Sequence, residues 1–258
     1  MRCDPWMTAY PADRIIAHRT WPLPDLLRTL NAESTRRGLV TGHGHPLRFV
    51  EQAQCPSDVA YESWIAVSGC VPTRDNLHDR YNALIWMLCP TTKASLNGIQ
   101  ARTIDEHGDI GPRGPVRDMA TLWDENLLVL VADERSQDLR RHLMAHAWQN
   151  LFMECRALWS RHWHPLVFGH ALLEKLDAPF KSITAHCLVL PSATLDWSEL
   201  DPLLAAQLGG YDHPSCFQPL PVMGIPGWHS ANDDPDFYTD ARVFRPLRRR
   251  SPTSCLGT

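Results

Sequence analysis

The sequence predicts an α+β protein, mostly helical, with a small sheet. Two observations lead there. Leu77, Tyr81, Leu84 and Leu88 recur at three- and four-residue spacing, which at 100° per residue is one face of a helix. Residues 127–131 and 181–190 are short runs rich in apolar residues and bounded by polar ones, and these read as buried strands. No linker-like stretch interrupts the chain, so a single domain is expected over residues 1–258.

In chain order, residues 1–20 read as an irregular arm and residues 24–30 as a short helix. Residues 47–50 supply a further short strand. Tyr61 opens an element that Gly69 and Pro72 break. The striped helix starts behind an N-cap at Thr73 or Asp75, whose side-chain oxygen accepts a free backbone N–H of the first turn. It stops before Pro90, because the residue preceding a proline disfavours the helical region.

Residues 91–100 form the next helix, with Lys93, Asn97 and Gln100 on one face. Residues 102–111 are polar and turn-rich. A helix over residues 113–125 takes Pro115 at its first position. Residues 136–162 read as the longest helix, with Leu139, Leu143 and Leu151 in its apolar stripe. Another helix opens at Pro165 and runs to Leu176, and Asp201 caps one that Gly209 and Gly210 end. From Tyr211 to residue 258 the chain is rich in proline and glycine, and Trp228, Phe237, Tyr238 and Phe244 are expected to pin it to the body.

Composition narrows the function classes. The chain has 258 residues, a formal net charge of −4 and a pI near 6.3. No global electrostatic drive pulls it toward nucleic acid or an anionic membrane. No apolar run approaches the roughly 20 residues of a membrane helix, so no membrane partner is expected. The N-terminal stretch lacks the apolar segment of a secretory leader. Eight cysteines without paired spacing fit reduced thiols in a cytoplasmic protein.

The chemistry concentrates around residues 72–86. The second face of the striped helix carries His78, Asp79, Asn82 and Trp86, with Asp75 at its start. A solvated face ordinarily carries Lys and Glu; this one suits recognition. His78, Asp79, Asp118, Asp124, Glu125 and His170 form the pool for acid–base work or metal ligation. Arg74, Lys93, Arg117, Lys175 and Lys181 are the cations available to an anionic group, and Asn76, Asn82 and Asn97 the amides available to its polar edges. Arg74, His78, Asp79, Asn82, Lys93, Arg117, Asp118 and His170 are expected to converge.

Local pairings sharpen that expectation. His170 and Glu174 stand four residues apart, a spacing at which Glu174 orients the imidazole. Gly169 before them allows close approach of another segment or a ligand. Asp79 and Asp118 adjoin Arg80 and Arg117 in sequence, and such pairing in space keeps an acid ionised. No Gly-rich phosphate loop or GxSxG elbow occurs.

These residues support an enzyme, a hydrolase or transferase acting on a small phosphorylated or nucleotide-like substrate. The alternative is a non-catalytic protein that binds RNA or a protein partner through the same polar face, with RNA the less favoured because of the acidic pI. A third reading is a buried hydrogen-bonded network that specifies the fold. The spacing names no cofactor and no metal.

Several stretches also carry a resemblance: residues 61–62, 71–79 and 81–86, residues 93–97, Arg117-Asp118 with Thr121 and Asp124-Glu125, residues 168–175, and residues 184–186. Together they resemble a bacterial family, the domain of unknown function numbered three thousand and twenty-five. The resemblance covers most of the chain and implies a bacterial cytoplasmic protein. It implies no activity.

Overall fold

The computed structural model describes residues 4–107, 114–133, 137–159 and 161–247. In chain order the helices and strands are α1 (Ala12–Thr20), α2 (Leu23–Arg37), β1 (Arg48–Glu51), α3 (Tyr61–Ser68), β2 (Cys70–Thr73), α4 (Leu77–Leu88), α5 (Pro90–His107) and α6 (Pro115–Asn126). There follow β3 (Leu127–Ala132), α7 (Gln137–Met144), β4 (Trp163–Val167), α8 (His170–Asp177), β5 (Thr184–Pro191), α9 (Trp197–Gln207) and β6 (Gln218–Pro221). The architecture is α+β, as the sequence predicts.

β3 is the middle of the larger sheet because it is apolar on both faces. Every residue from Leu127 to Ala132 is buried, as a strand covered on both sides requires. β3 pairs parallel with β5 and antiparallel with β4, and β6 closes the order β4-β3-β5-β6. The prolines of β6, Pro219 and Pro221, sit on an edge strand, where a missing N–H costs no ladder bond. β1 and β2 form a separate parallel pair, with Phe49 opposite Val71. Pro72 therefore lies inside a strand, contrary to its expected role as a breaker.

α4 joins two apolar clusters. Tyr81, Leu84 and Ile85 enter the large one around β3. Ala83, Trp86 and Met87 enter a smaller one with Leu26, Leu30, Phe49, Ile65 and Val71. Burying each of the leucine, isoleucine, valine, methionine and phenylalanine side chains contributes roughly 1.5–3 kcal/mol. The expected core stripe is confirmed, but the second face is not a surface: Asp79, Asn82 and Trp86 are buried too. A helix enclosed on all sides must satisfy its polar side chains inside the protein. This requirement builds the site.

Other expectations are corrected. α4 is capped by Asn76, whose Oδ1 accepts from the Asp79 N–H at 2.8 Å, and not by Thr73 or Asp75. Asp75 instead takes the Arg80 guanidinium, with Nε at 3.0 Å. The N-terminal arm holds a helix, α1, which packs against α4. α5 continues through residues 102–107, the first part of the stretch expected to be turns; residues 108–111 lie outside the described residues.

Asp201 does not open α9. Asp196 caps it, accepting from the Ser198 N–H at 2.8 Å, and Asp201 lies within it. The Asp201 carboxylate caps α5 instead, accepting from the Thr91 and Thr92 N–H groups at 2.8 Å each.

The long helix expected over residues 136–162 is broken; Ser136 and Ser160 are outside the described residues. α7 ends at Met144, and His146 takes a left-handed φ of 52°. A π-helical turn (Asn150–Glu154) and a 3-10 turn (Arg156–Leu158) follow. The break serves the aromatics: Phe152 stacks on Trp159 at 5.7 Å and on Tyr238 at 5.5 Å. The Trp148 indole N–H donates to the Arg245 carbonyl at 2.8 Å. Trp228, Phe237, Tyr238 and Phe244 are buried, so the C-terminal segment is held as expected through its described part, to residue 247. Pro165 lies in β4, and the helix after it starts only at His170.

Candidate functional site

Three helices position the site: α3 contributes Tyr61 and Glu62, α5 Gln100 and Ile104, and α6 Arg117, Thr121, Asp124 and Glu125. Together with Ala60 they line a cavity of about 230 Å³. On another face of α5 the loop at Gly42 packs closely: a Cβ on Gly42 would sit 2.5 Å from the Gly98 Cα. The i, i+3 and i+4 spacing of α6 brings Arg117, Thr121 and Asp124 to one face.

Behind the cavity lies a buried ion pair. Lys93 Nζ bonds Asp124 Oδ1 and also donates to Asn82 Oδ1 at 2.7 Å. Asn82 Nδ2 donates to the Tyr61 hydroxyl at 3.1 Å, and the ammonium stands 5.3 Å from the Trp86 ring centre. Burial alone would raise the Asp124 carboxyl, yet Lys93 and the nearby imidazoles hold it below the ordinary carboxylate range. Glu62 moves the other way: burial and the Asp124 charge push its carboxyl up. Asn97 fixes Glu62 in place, its Nδ2 donating to Oε2 at 2.8 Å and to the Glu62 carbonyl at 2.9 Å.

α8 approaches from the other side. Its start lies against the end of α6: a Cβ on Gly169 would collide with the Glu125 carbonyl and lie 2.5 Å from the Asn126 nitrogen. Gly169 thus permits close approach of another segment, and that segment is the chain's own backbone. His170 Nδ1 stands 2.8 Å from the Asp124 carbonyl oxygen, and its Nε2 stands 3.1 Å from Nε2 of His78. Glu174 meets His78 Nδ1 at 2.9 Å. It orients His78 and not, as expected, His170. Burial lowers the His170 pKa to about 4.

The expected residues divide into three sets. His78, Asn82, Lys93, Asp124 and His170 are joined by the contacts above, with Arg117 and Glu125 at the cavity and Asn97 behind Glu62. Asp79 and Arg74 form a second, structural unit: Arg74 Nε and Nη2 each meet the Asp79 carboxylate at 2.9 Å, and the Arg74 N–H donates to it at 2.7 Å. Asp79 therefore pairs with Arg74 and not with Arg80, and Asn76 is spent on the cap. Asp118 and Lys175 are exposed and outside the cavity lining. Lys181 lies against the C-terminal segment, 3.5 Å from Asp240 Oδ2 and 4.4 Å from the Phe237 ring centre. The expected single convergence thus excludes Asp118, because one step along α6 from Arg117 turns the side chain to solvent.

Tyr61, Glu62 and Gln100 belong to the cavity although the candidate set omits them. For Gln100 the signal was helical periodicity, which sets it on one face with Lys93 and Asn97; periodicity gives no reason to select Tyr61 or Glu62. The available signal was the Tyr61-Glu62 pair among the stretches carrying the family resemblance.

The fold and site define an α+β protein with a polar cleft backed by a buried lysine–aspartate pair. The chain belongs to the family described as "Protein of unknown function (DUF3025)", whose pattern matches residues 47–248. No curated protein and no solved structure matches the chain. No helix among the described residues is long and apolar enough to cross a membrane.

Proposed function

We propose that the protein is an enzyme, a hydrolase or transferase, whose small substrate binds in the cleft between α3, α5 and α6. One observation carries this reading. Glu62, Arg117, Asp124 and Glu125 line one small cavity, a convergence of acids and a cation that a solubilising surface does not require. Glu62 is the general acid, because its surroundings favour the protonated form. Asp124, held ionised by Lys93, is the base. Asn97 and Lys93 position these two carboxylates.

The substrate class narrows from the sequence reading. Of the five cations expected to meet a phosphorylated or nucleotide-like molecule, Arg117 alone lines the cleft. The substrate therefore presents one anionic group to Arg117 and a reacting bond to Glu62 and Asp124. The same reading takes the protein as a cytoplasmic bacterial enzyme and the chain as one domain.

The test is a turnover screen with simple phosphate esters, nucleotides and small carboxylic esters, using wild type, Glu62→Gln and Arg117→Met. Turnover by wild type, lost in Glu62→Gln and weakened through KM in Arg117→Met, supports the assignment. Full-rate turnover by folded Glu62→Gln overturns it. Binding of one of these probes without turnover returns the alternative of a non-catalytic binding protein.

A further inference from the structure

The two histidines present an arrangement that neutral imidazoles do not maintain alone. A carbonyl oxygen only accepts, so His170 Nδ1, at 2.8 Å from the Asp124 carbonyl, carries the hydrogen. An ionised carboxylate also only accepts, so His78 Nδ1, at 2.9 Å from Glu174, carries its hydrogen as well. Each neutral ring has one N–H. Both Nε2 atoms are then bare lone pairs, and they face each other at 3.1 Å with the rings T-shaped. Two lone pairs at that separation repel unless a positive centre lies between them.

We propose that His78 and His170 bind a transition-metal ion of the zinc class through their two Nε2 atoms. Nitrogens each about 2.0–2.1 Å from a tetrahedral ion are about 3.3 Å apart, close to the 3.1 Å separation here. The other nitrogen of each ring is held by a carboxylate or a backbone carbonyl, as in metal-binding histidines generally.

Access and charge fit as well. His78 is partly exposed, giving an ion a way in, and the Glu174 and Asp124 carboxylates supply negative charge beside the pair. Among the described residues no group of three His, Cys, Asp or Glu side chains is arranged around an ion. The protein therefore supplies two ligands, and the remaining positions belong to water or an added ligand. Imidazole ligands suit zinc, copper, nickel and cobalt. This site stands whether or not the cleft is catalytic.

The test uses the full chain, stripped of metal by a chelator and titrated with Co²⁺ or Zn²⁺. Cobalt absorption reports binding, and long-range ¹H–¹⁵N spectra report each histidine. The expected result is one ion per chain, with the Nε2 signals of His78 and His170 moving together among the 13 histidines. His78→Ala, at a partly exposed position that leaves the fold intact by circular dichroism, should lose this binding. Glu174→Ala should weaken it about 10- to 100-fold. Wild-type affinity in His78→Ala overturns the proposal. So does a wild-type spectrum in which the His78 and His170 signals keep a shared proton and ignore added Zn²⁺.

Discussion

Lys93 and Asp124 form an ion pair enclosed between α5 and α6, and Asn82 of α4 accepts from the same ammonium. Three helices are thus tied at one buried point. Taking away one partner leaves the other charged and unpaired in a low-dielectric setting. Lys93→Met and Asp124→Leu should each destabilise the protein by about 3–5 kcal/mol. The double variant should lose less than the sum, because it buries no orphan charge. Urea unfolding of the set measures this; additive losses would mean that the pair is not coupled.

Asp201 should matter through α5 and not through its own helix. Its carboxylate accepts from the Thr91 and Thr92 N–H groups and from the Thr92 hydroxyl, the last at 2.7 Å. Asp201→Ala should cost about 1–2 kcal/mol, the range of a lost helix cap. Amide hydrogen exchange should locate the loss at the start of α5. Faster exchange confined to α9 would contradict this.

Gly169→Ala should destabilise by about 1–3 kcal/mol, the cost of overpacking. The added methyl meets backbone at Glu125 and Asn126, which cannot rotate away as a side chain does. Since α8 must then shift from α6, the His170 contact with the Asp124 carbonyl should loosen as well. A wild-type melting temperature for this variant would show that the gap between α6 and α8 is wider.

His18 should shape the acid side of the stability curve. It is buried in α1, and burial lowers its pKa from 6.5 to about 4. The unfolded chain therefore binds a proton at His18 more readily than the folded one. Its contribution is fully present above pH 6.5 and is lost as pH falls toward 4, by about 3 kcal/mol at 1.36 kcal/mol per pH unit. His18→Gln should flatten the difference in stability between pH 6.5 and pH 4. A variant curve parallel to wild type across that window would refute this.

How much of this was legible depends on the range of each interaction. β3 reads from sequence because six consecutive apolar residues have one environment that suits them. The stop of α4 before Pro90 and the start of α6 at Pro115 read equally well, since proline acts on its immediate neighbours. The break after α7 did not, because Leu139, Leu143 and Leu151 keep helical spacing across it. Only the aromatic side chains of the distant C-terminal segment reveal why the helix ends.

The candidate site divides along the same line. The residue types at Lys93, Asp124, His78 and His170 could be chosen from sequence, because charged and amide side chains on helices with apolar faces are conspicuous. Their partners could not. Asp79 had an arginine beside it in sequence and one five residues before it, and a helix turns the adjacent side chain away by 100°. It pairs with Arg74.

The sequence by itself determined that this is an α+β chain and that runs such as β3 are buried, and it offered the residue types from which a site could be built. Those properties follow from local hydrophobic period and residue type. Tertiary structure decided that α4 is enclosed on every side, that Glu174 serves His78, and that Glu62, Arg117 and Asp124 share one cleft while Asp118 faces water. Each of these depends on which surfaces meet across tens of residues of chain, and no local pattern encodes that meeting.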